Sequence, residues 1–201
     1  MFYSERKTED FLERNWFKVV KRAYAESERE LETILKRFNF PIVIKVSGKE
    51  IVHKNKLGGI VLNIKDRNSA LKSFRKLSKI KGFEGVVIQE QMLGKEVLIG
   101  VKKTSDFGHA ICVGSGGTNT EKLNDVSFRI FPFDKDESGR MLSDTKISKM
   151  LDKEEKKVVE ENIIRICELI KKDSGISELD INPLMVDGSQ AVVVDARMVI
   201  D

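Results

Sequence analysis

Cysteine is scarce, and where it occurs it is embedded in aliphatic sequence. Cys112 lies in Ala110-Ile111-Cys112-Val113 and Cys167 in Ile166-Cys167-Glu168-Leu169-Ile170. Such surroundings predict buried free thiols in a reducing compartment, and with no CxxC pair they offer no zinc-ligand spacing. Long apolar runs are also missing. Nothing approaches the roughly eighteen residues a membrane span needs, and Met1-Phe2-Tyr3-Ser4-Glu5-Arg6 has no apolar signal core, so a soluble, cytoplasmic chain is expected. Charge of one sign is not in excess. Thirty-six Lys and Arg against 32 Asp and Glu leave +4, interspersed along the chain, which gives no basic tract for nucleic acid. Histidine is limited to His53 and His109, and neither an internal repeat nor a low-complexity linker occurs.

What is present is enough for a real core: 201 residues, 40% of them hydrophobic, as one domain or two small lobes. A short helix is predicted over 8–14, a strand over 17–25, and a helix over 27–38 opened by a Ser27/Glu30 capping box. Strands at 41–47 and 59–65 precede a helix over 69–80 with Leu71, Phe74 and Leu77 on one side. Further strands are expected at 85–89, 96–103, 109–113 and 126–131, then a charged stretch and a long helix over 153–172. Strands arriving in adjacent pairs point to an antiparallel α+β architecture rather than a Rossmann sheet. The expected division is a lobe of residues 1–88 and another of 89–201.

The C-terminal stretch carries the most specific geometric information. Gly188-Ser189 suits a two-residue turn with glycine first, which makes Asp187 face Gln190 and fixes every pair behind it. Val186 then meets Ala191, Leu184 meets Val193, Asn182 meets Asp195, and Asp180 meets Arg197 on one face. Met185 with Val192, Pro183 with Val194 and Ile181 with Ala196 form the other, all core. Opposed side chains have Cβ atoms roughly 4.5–5.5 Å apart. An amide oxygen and a carboxylate at that spacing can share a hard cation such as Mg²⁺. The plain alternative is that these residues decorate strand ends and Asp180 with Arg197 is an ion pair.

Other strings suit a phosphorylated ligand. Lys45 projects from a strand, opposite Ile42, Ile44 and Val46, as a point charge for phosphate or as a solvent-facing lysine. His53 and Lys54 precede Leu57-Gly58-Gly59, whose free backbone N–H groups suit phosphate oxygens, and imidazole is a possible phosphoryl acceptor. Gly114-Ser115-Gly116-Gly117-Thr118 is a second candidate anion loop or a simple turn. Glu96 and Lys102 share a strand face with Gly100, which suits a ribose hydroxyl and a phosphate. Arg129, between Phe128 and Ile130, needs an anionic partner, either phosphate or a structural carboxylate.

Taken in order, Phe40-Pro41-Ile42-Val43-Ile44-Lys45, His53-Lys54 through Gly59, Glu84 to Met92, Glu96 to Lys102, Gly114 to Gly117, Asp125 to Arg129 and the hairpin resemble the ATP-grasp β subunit of ADP-forming acyl-CoA (acetate-CoA) ligases, relatives of the succinyl-CoA synthetase β subunit. The resemblance implies an ATP-grasp fold of two α+β lobes, mainly antiparallel, enclosing ATP or ADP with Mg²⁺. It implies Lys45 on phosphates, Gly58-Gly59 over them, Gln89, Glu90, Gln91 and Met92 along adenine, and Glu96 toward ribose. Asn182 and Asp195 take the Mg²⁺ positions, with Asp180 and Arg197 bracing them. His53 matches a phosphoryl relay, and Lys45 and Arg129 offset charge on the moving group. The implied partner is a CoA-binding α subunit carrying a phosphohistidine, in a hetero-oligomer, with acyl recognition largely on that subunit. Two alternatives are a grasp ligase for another carboxylic acid and a non-catalytic nucleotide-sensing or assembly module. Trp16 departs from the family, which commonly has glycine there, and residues 134–152 look abbreviated.

Overall fold

Alternating Ile and Val, and helices with one apolar stripe, require sheets backed by helices on one face, and the chain builds two of them. In the computed structural model, which describes residues 1–48, 51, 54, 57–117 and 124–201, the elements in chain order are β1 (Phe2–Tyr3), α1 (Glu5–Arg14), β2 (Arg22–Ala25), α2 (Glu28–Leu35), β3 (Ile42–Ser47), β4 (Ile60–Ile64), α3 (Arg67–Leu77), β5 (Gly85–Glu90), β6 (Lys95–Thr104), β7 (Gly108–Ser115), β8 (Val126–Ile130), α4 (Lys135–Ser143), a 3-10 turn (Ile147–Lys149), α5 (Lys153–Lys172), β9 (Ile176–Asp187), β10 (Gln190–Val193) and β11 (Ala196–Ile200). Packing separates residues 20–92 from a second unit made of 1–19 with 93–201.

This grouping differs from a single cut after residue 88. Strand β5 runs on to Glu90, while β1 pairs with β11 through Phe2↔Val199 and Tyr3↔Met198. Leu12 and Phe17 enter the core of the C-terminal unit, and Val19 bridges Val193. The stretch 17–25, expected as one strand, therefore spans the passage between units, and only Arg22–Ala25 pairs with β5.

The unit of residues 20–92 is a four-stranded antiparallel sheet, β2-β5-β3-β4. Ile42, Ile44 and Val46 meet Leu31, Ile34, Leu35 and Phe38 of α2 and its C-terminal turn, and Phe74 and Leu77 of α3, on one face. Each such side chain, fully buried, stabilises by roughly 1.5–3 kcal/mol. Ser27 accepts the Glu30 N–H as expected of an N-cap, but the Glu30 carboxylate returns to the Glu26 N–H, 2.8 Å, one residue before the cap. Asp66 caps α3 through the Ser69 N–H.

The other unit is a seven-stranded sheet, β1-β11-β9-β6-β7-β8, with β10 also on β9. Its core lines Val97, Ile99 and Val101 of β6 against Val159, Ile163, Ile166, Cys167 and Ile170 of α5, the stripe expected from their spacing. Asp152 and Glu155 close a capping box at the start of α5. The charged stretch contains α4, whose buried residues are only Ser138, Met141 and Leu142, too few to show as a periodic stripe. Both cysteines are free, and burial pushes each thiol up to about 11. Among the described residues no helix is long and apolar enough to cross a membrane.

Candidate functional site

Gly188 adopts φ +53, the left-handed value a two-residue turn with glycine first requires. The register follows as expected: Gln190↔Asp187, Ala191↔Val186, Val192↔Met185 and Val193↔Leu184, then Ala196↔Ile181 and Arg197↔Asp180. Between these runs the Asn182 N–H donates to the Asp195 carbonyl at 3.0 Å, and the Val194 N–H to Pro183 at 3.1 Å. Asn182 and Asp195 are thus opposed. At the open end, burial pushes the Asp180 carboxyl up while the Arg197 charge pulls it down.

The faces differ from simple alternation. Near the turn the helix-side core takes Leu184, Val186, Ala191 and Val193; at the open end it takes Leu179, Ile181, Ala196 and Met198. The parity changes at Asn182-Pro183. Pairing with β6 steps there from Val97↔Leu184 to Ile99↔Ile181, so β9 holds one residue more than β6 between those pairs. Proline has no N–H for a ladder, and an extra residue in one strand re-aims its neighbours.

At this discontinuity the Asn182 amide oxygen accepts the Gly117 N–H at 2.7 Å. The Gly116 N–H donates to the Glu96 carbonyl at 2.8 Å. The Glu96 carboxylate occupies the space a Cβ on Gly117 would need, with Oε2 only 1.7 Å from that position. Glu96, Gly117 and Asn182 therefore form one cluster, with Asp195 across the hairpin.

Of the string Gly114 to Thr118, Thr118 lies outside the described residues, and the described part is held by protein partners. The Ser115 N–H goes to the Asp125 carbonyl at 3.1 Å and its hydroxyl to the Asp125 carboxylate at 2.6 Å, so its donors are spent on protein. Asp125 also accepts the N–H groups of Lys146 (2.5 Å) and Ile147 (2.9 Å). Sequence reasoning missed Gly117 and Asp125 as organising residues. Their signal was only a glycine pair after a strand and an acidic residue before one.

Two expected members lie elsewhere. Lys102 is six residues from Glu96 on β6, roughly 20 Å of extended strand, and it pairs with Glu178 at the sheet surface. Arg129 is on edge strand β8, its Nε on Glu137 at 2.6 Å and a terminal nitrogen on Asp144 at 2.7 Å. These bonds hold both carboxyls below the usual carboxylate range. The structural carboxylate partner fits Arg129; a role on a moving phosphoryl group requires both pairs to break.

In the unit of residues 20–92, Lys45 is on the sheet face away from the helices and only 3% exposed. Its register partner is Val87, and Gln89, fully buried, is the next inward residue on the same face. Glu90 pairs with Lys21 at 2.9 Å, and the Gln91 side-chain oxygen accepts the Asn63 N–H at 2.6 Å. Met92 is half-buried. Gly58 is exposed with φ +61, and Gly59 continues the β3 ladder through its carbonyl to the Val46 N–H at 2.7 Å. His53 lies outside the described residues.

The donor set of the hairpin cluster is hard oxygen throughout. Asn182 keeps a lone pair beyond the one Gly117 occupies, Asp195 carries a carboxylate, and among the described residues no histidine or sulfur joins them, which suits Mg²⁺ and not zinc. Among the described residues no group of three or more His, Cys, Asp or Glu side chains is placed to hold a metal. Two protein oxygens with water and phosphate completing the shell is the usual Mg²⁺ arrangement.

Residues 2–200 match the model of the ATP-grasp domain family. The β subunit of ADP-forming acetate–CoA ligase I of Pyrococcus furiosus is 32% identical over 88% of this chain and 82% of its own. The chain belongs to the ATP-grasp family of these ligase β subunits. ADP-forming acetate–CoA ligase II of Archaeoglobus fulgidus is 35% identical over the whole chain, which spans only 30% of that protein's length. Among solved structures, acetyl-coenzyme A synthetase 1 of Candidatus Korarchaeum cryptofilum, in complex with coenzyme A, Ca-AMPCP and HgCl⁺, superposes with a TM-score of 0.89 at 26% identity, covering 100% of this chain and 93% of that one. A further structure of that protein, TM-score 0.83 at 25% identity with the same coverage, contains a phosphorylated phosphohistidine segment. The α+β ATP-grasp fold expected from the resemblance is the fold found.

Proposed function

We propose that this ATP-grasp chain is the nucleotide-binding part of an ADP-forming acyl-CoA ligase, carrying out Mg²⁺-dependent phosphoryl transfer between a phosphohistidine and ADP or ATP. The observation that carries the reading is the meeting of Glu96, Gly117 and Asn182 on one sheet with Asp195 opposed in register. The similar synthetase binds a nucleotide analogue with a divalent cation, which supports it. The phosphohistidine donor is assigned to a CoA-binding α partner, and acyl recognition to that partner too. The relatives named for acetate make a short acyl group the first to test. A cytoplasmic location is part of the same proposal, in keeping with two free cysteines.

Residue roles follow from chemistry. Lys45, a buried cation, offsets phosphate charge more strongly than an exposed lysine would. Gly58 presents backbone without a side chain in the way, while Gly59, buried, gives its N–H to the Lys54 carbonyl at 2.8 Å and supports Gly58 from the end of the β3 ladder. Gln89 to Met92 contact adenine, with Gln89 held rigidly in β5, and Glu96 accepts from ribose hydroxyls. Asn182 and Asp195 hold Mg²⁺, which when bound supplies positive charge at the phosphate oxygens. Asp180 and Arg197 brace that pair. His53 is assigned the relay of the phosphoryl group. Arg129 and Lys102 are reassigned to surface ion pairs, leaving charge compensation to Lys45 and Mg²⁺.

The test incubates the chain, its CoA-binding partner, Mg²⁺ and γ-labelled ATP, and scores acid-labile label on protein. The reading expects labelling that depends on Mg²⁺ and falls in His53→Ala and Asp195→Ala. Tight ADP binding with no phosphoryl transfer would instead favour a nucleotide-sensing module.

A further inference from the structure

We infer that Gly117 is a positioning residue whose missing side chain is the seat of the Glu96 carboxylate and whose N–H orients the Asn182 oxygen. This rests on the reading of Glu96 and Asn182 as nucleotide and cation ligands. Three observations meet in a single peptide. Gly117 has φ +83, a conformation L side chains rarely adopt. Its N–H donates to the Asn182 amide oxygen at 2.7 Å. A Cβ there would lie 1.7 Å from Oε2 and 2.8 Å from the carboxyl carbon of Glu96.

The consequence is a link between two side chains from different strands. Glu96 extends from β6 and Asn182 from β9, and neither is fixed by the helix-side core. The Gly116 N–H on the Glu96 carbonyl carries the β6–β7 ladder one pair beyond Val97↔Ser115 and so fixes where the glycine turn leaves the sheet. Gly117 then holds the Asn182 side-chain amide oxygen on one side and leaves room for the Glu96 carboxylate on the other. A fixed Asn182 N–H₂/C=O orientation keeps the second lone pair of its oxygen available to a cation. A Cβ at position 117 displaces only the far end of a flexible side chain, so the fold survives while the carboxylate is evicted. That separates a positioning role from a packing role.

The experiment is a double-variant cycle read by calorimetry with ADP and Mg²⁺. Gly117→Ala keeps the N–H that Asn182 accepts and adds only the Cβ that meets Glu96, so it is expected to weaken ADP binding about tenfold, by as much as Glu96→Ala, and the combined variant to bind no worse than Glu96→Ala alone. Gly117→Asn separates strain from displacement, because asparagine tolerates positive φ yet carries the same Cβ. The inference expects Gly117→Asn to lose affinity as Gly117→Ala does, and this variant also serves if the alanine variant fails to fold. Recovery of affinity in Gly117→Asn overturns it, and so do losses that multiply in the combined variant. If the wild-type chain does not bind ADP with Mg²⁺, the functional reading itself falls and takes this inference with it.

Discussion

Asn182 and Asp195 face each other where both strands of the C-terminal hairpin change the side of the sheet that their neighbours enter. Leu184 and Val193 on one side of the pair and Ile181 and Ala196 on the other all reach the same core, although strict alternation forbids it. The extra residue in β9 relative to β6 resolves the conflict. It leaves a polar pair at a break in the ladder, partly exposed, with the Gly117 N–H aimed at one member. A regular strand would have put another aliphatic there.

Replacing either member of this pair is expected to remove metal-dependent nucleotide binding and leave the sheet intact. Asp195→Ala and Asn182→Ala should each weaken ADP binding in the presence of Mg²⁺ by about tenfold or more, and flatten the dependence on Mg²⁺ concentration. Asn182→Asp keeps an oxygen for both Gly117 and a cation and should retain most of the affinity. Calorimetry at several Mg²⁺ concentrations checks this; equal Mg²⁺ dependence in wild type and Asp195→Ala would remove the metal assignment.

Arg129 should matter for stability and not for nucleotide. Its guanidinium joins edge strand β8 to α4 through Glu137 and to the C-cap of that helix through Asp144, and Glu137 also receives Arg140 at 2.7 Å. Arg129→Met is expected to lower the melting temperature by a few degrees, as a multi-partner network does and an isolated surface pair does not. ADP affinity should match wild type. A loss of affinity at unchanged melting temperature would restore Arg129 to the phosphoryl-transfer machinery.

The contrast between Asn182 and Arg129 shows what a sequence makes legible. The hairpin register followed from one turn, because Gly188 with Ser189 leaves a single pairing for every residue behind it. The change of face was hidden, since it arises from pairing with β6, some eighty residues earlier in the chain. For Arg129 the need for an anion was legible, but its partners sit on α4 and its C-cap, a helix with too few apolar residues to announce itself. Gly117 was hidden for a related reason: a glycine in a Gly-rich turn looks the same whether it cradles a phosphate or makes room for Glu96.

Trp16 gives a prediction of opposite sign. It follows α1 with φ +68 and is 86% exposed, so a large side chain occupies a left-handed position suited to glycine and buries little in return. The left-handed conformation costs an L-residue roughly 1–2 kcal/mol, part of which the greater unfolded-state freedom of glycine takes back. Trp16→Gly should therefore stabilise by about 1 kcal/mol, seen as a higher urea midpoint at unchanged slope. A lower midpoint would mean that the indole contributes more by packing than its exposure suggests.

Asp125 should make part of the stability depend on pH. Burial acts to raise its carboxyl, but the Ser115 hydroxyl and the N–H groups of Lys146 and Ile147 outweigh that, so the folded value lies below the ordinary one. A group with a depressed folded value binds more protons when unfolded. Its contribution is thus fully present above the unfolded value of about 3.9 and is lost as the pH falls through the lower folded value. Because the same carboxylate ties β7 to the 3-10 turn, Asp125→Asn is expected to cost about 2 kcal/mol near neutral pH, the size of a charge-assisted hydrogen bond lost at a buried site. The difference between wild type and Asp125→Asn should shrink steadily below about pH 4. Urea unfolding of both proteins from pH 7 down to pH 3 measures it directly, and a difference independent of pH would show that Asp125 acts through shape and not through its charge.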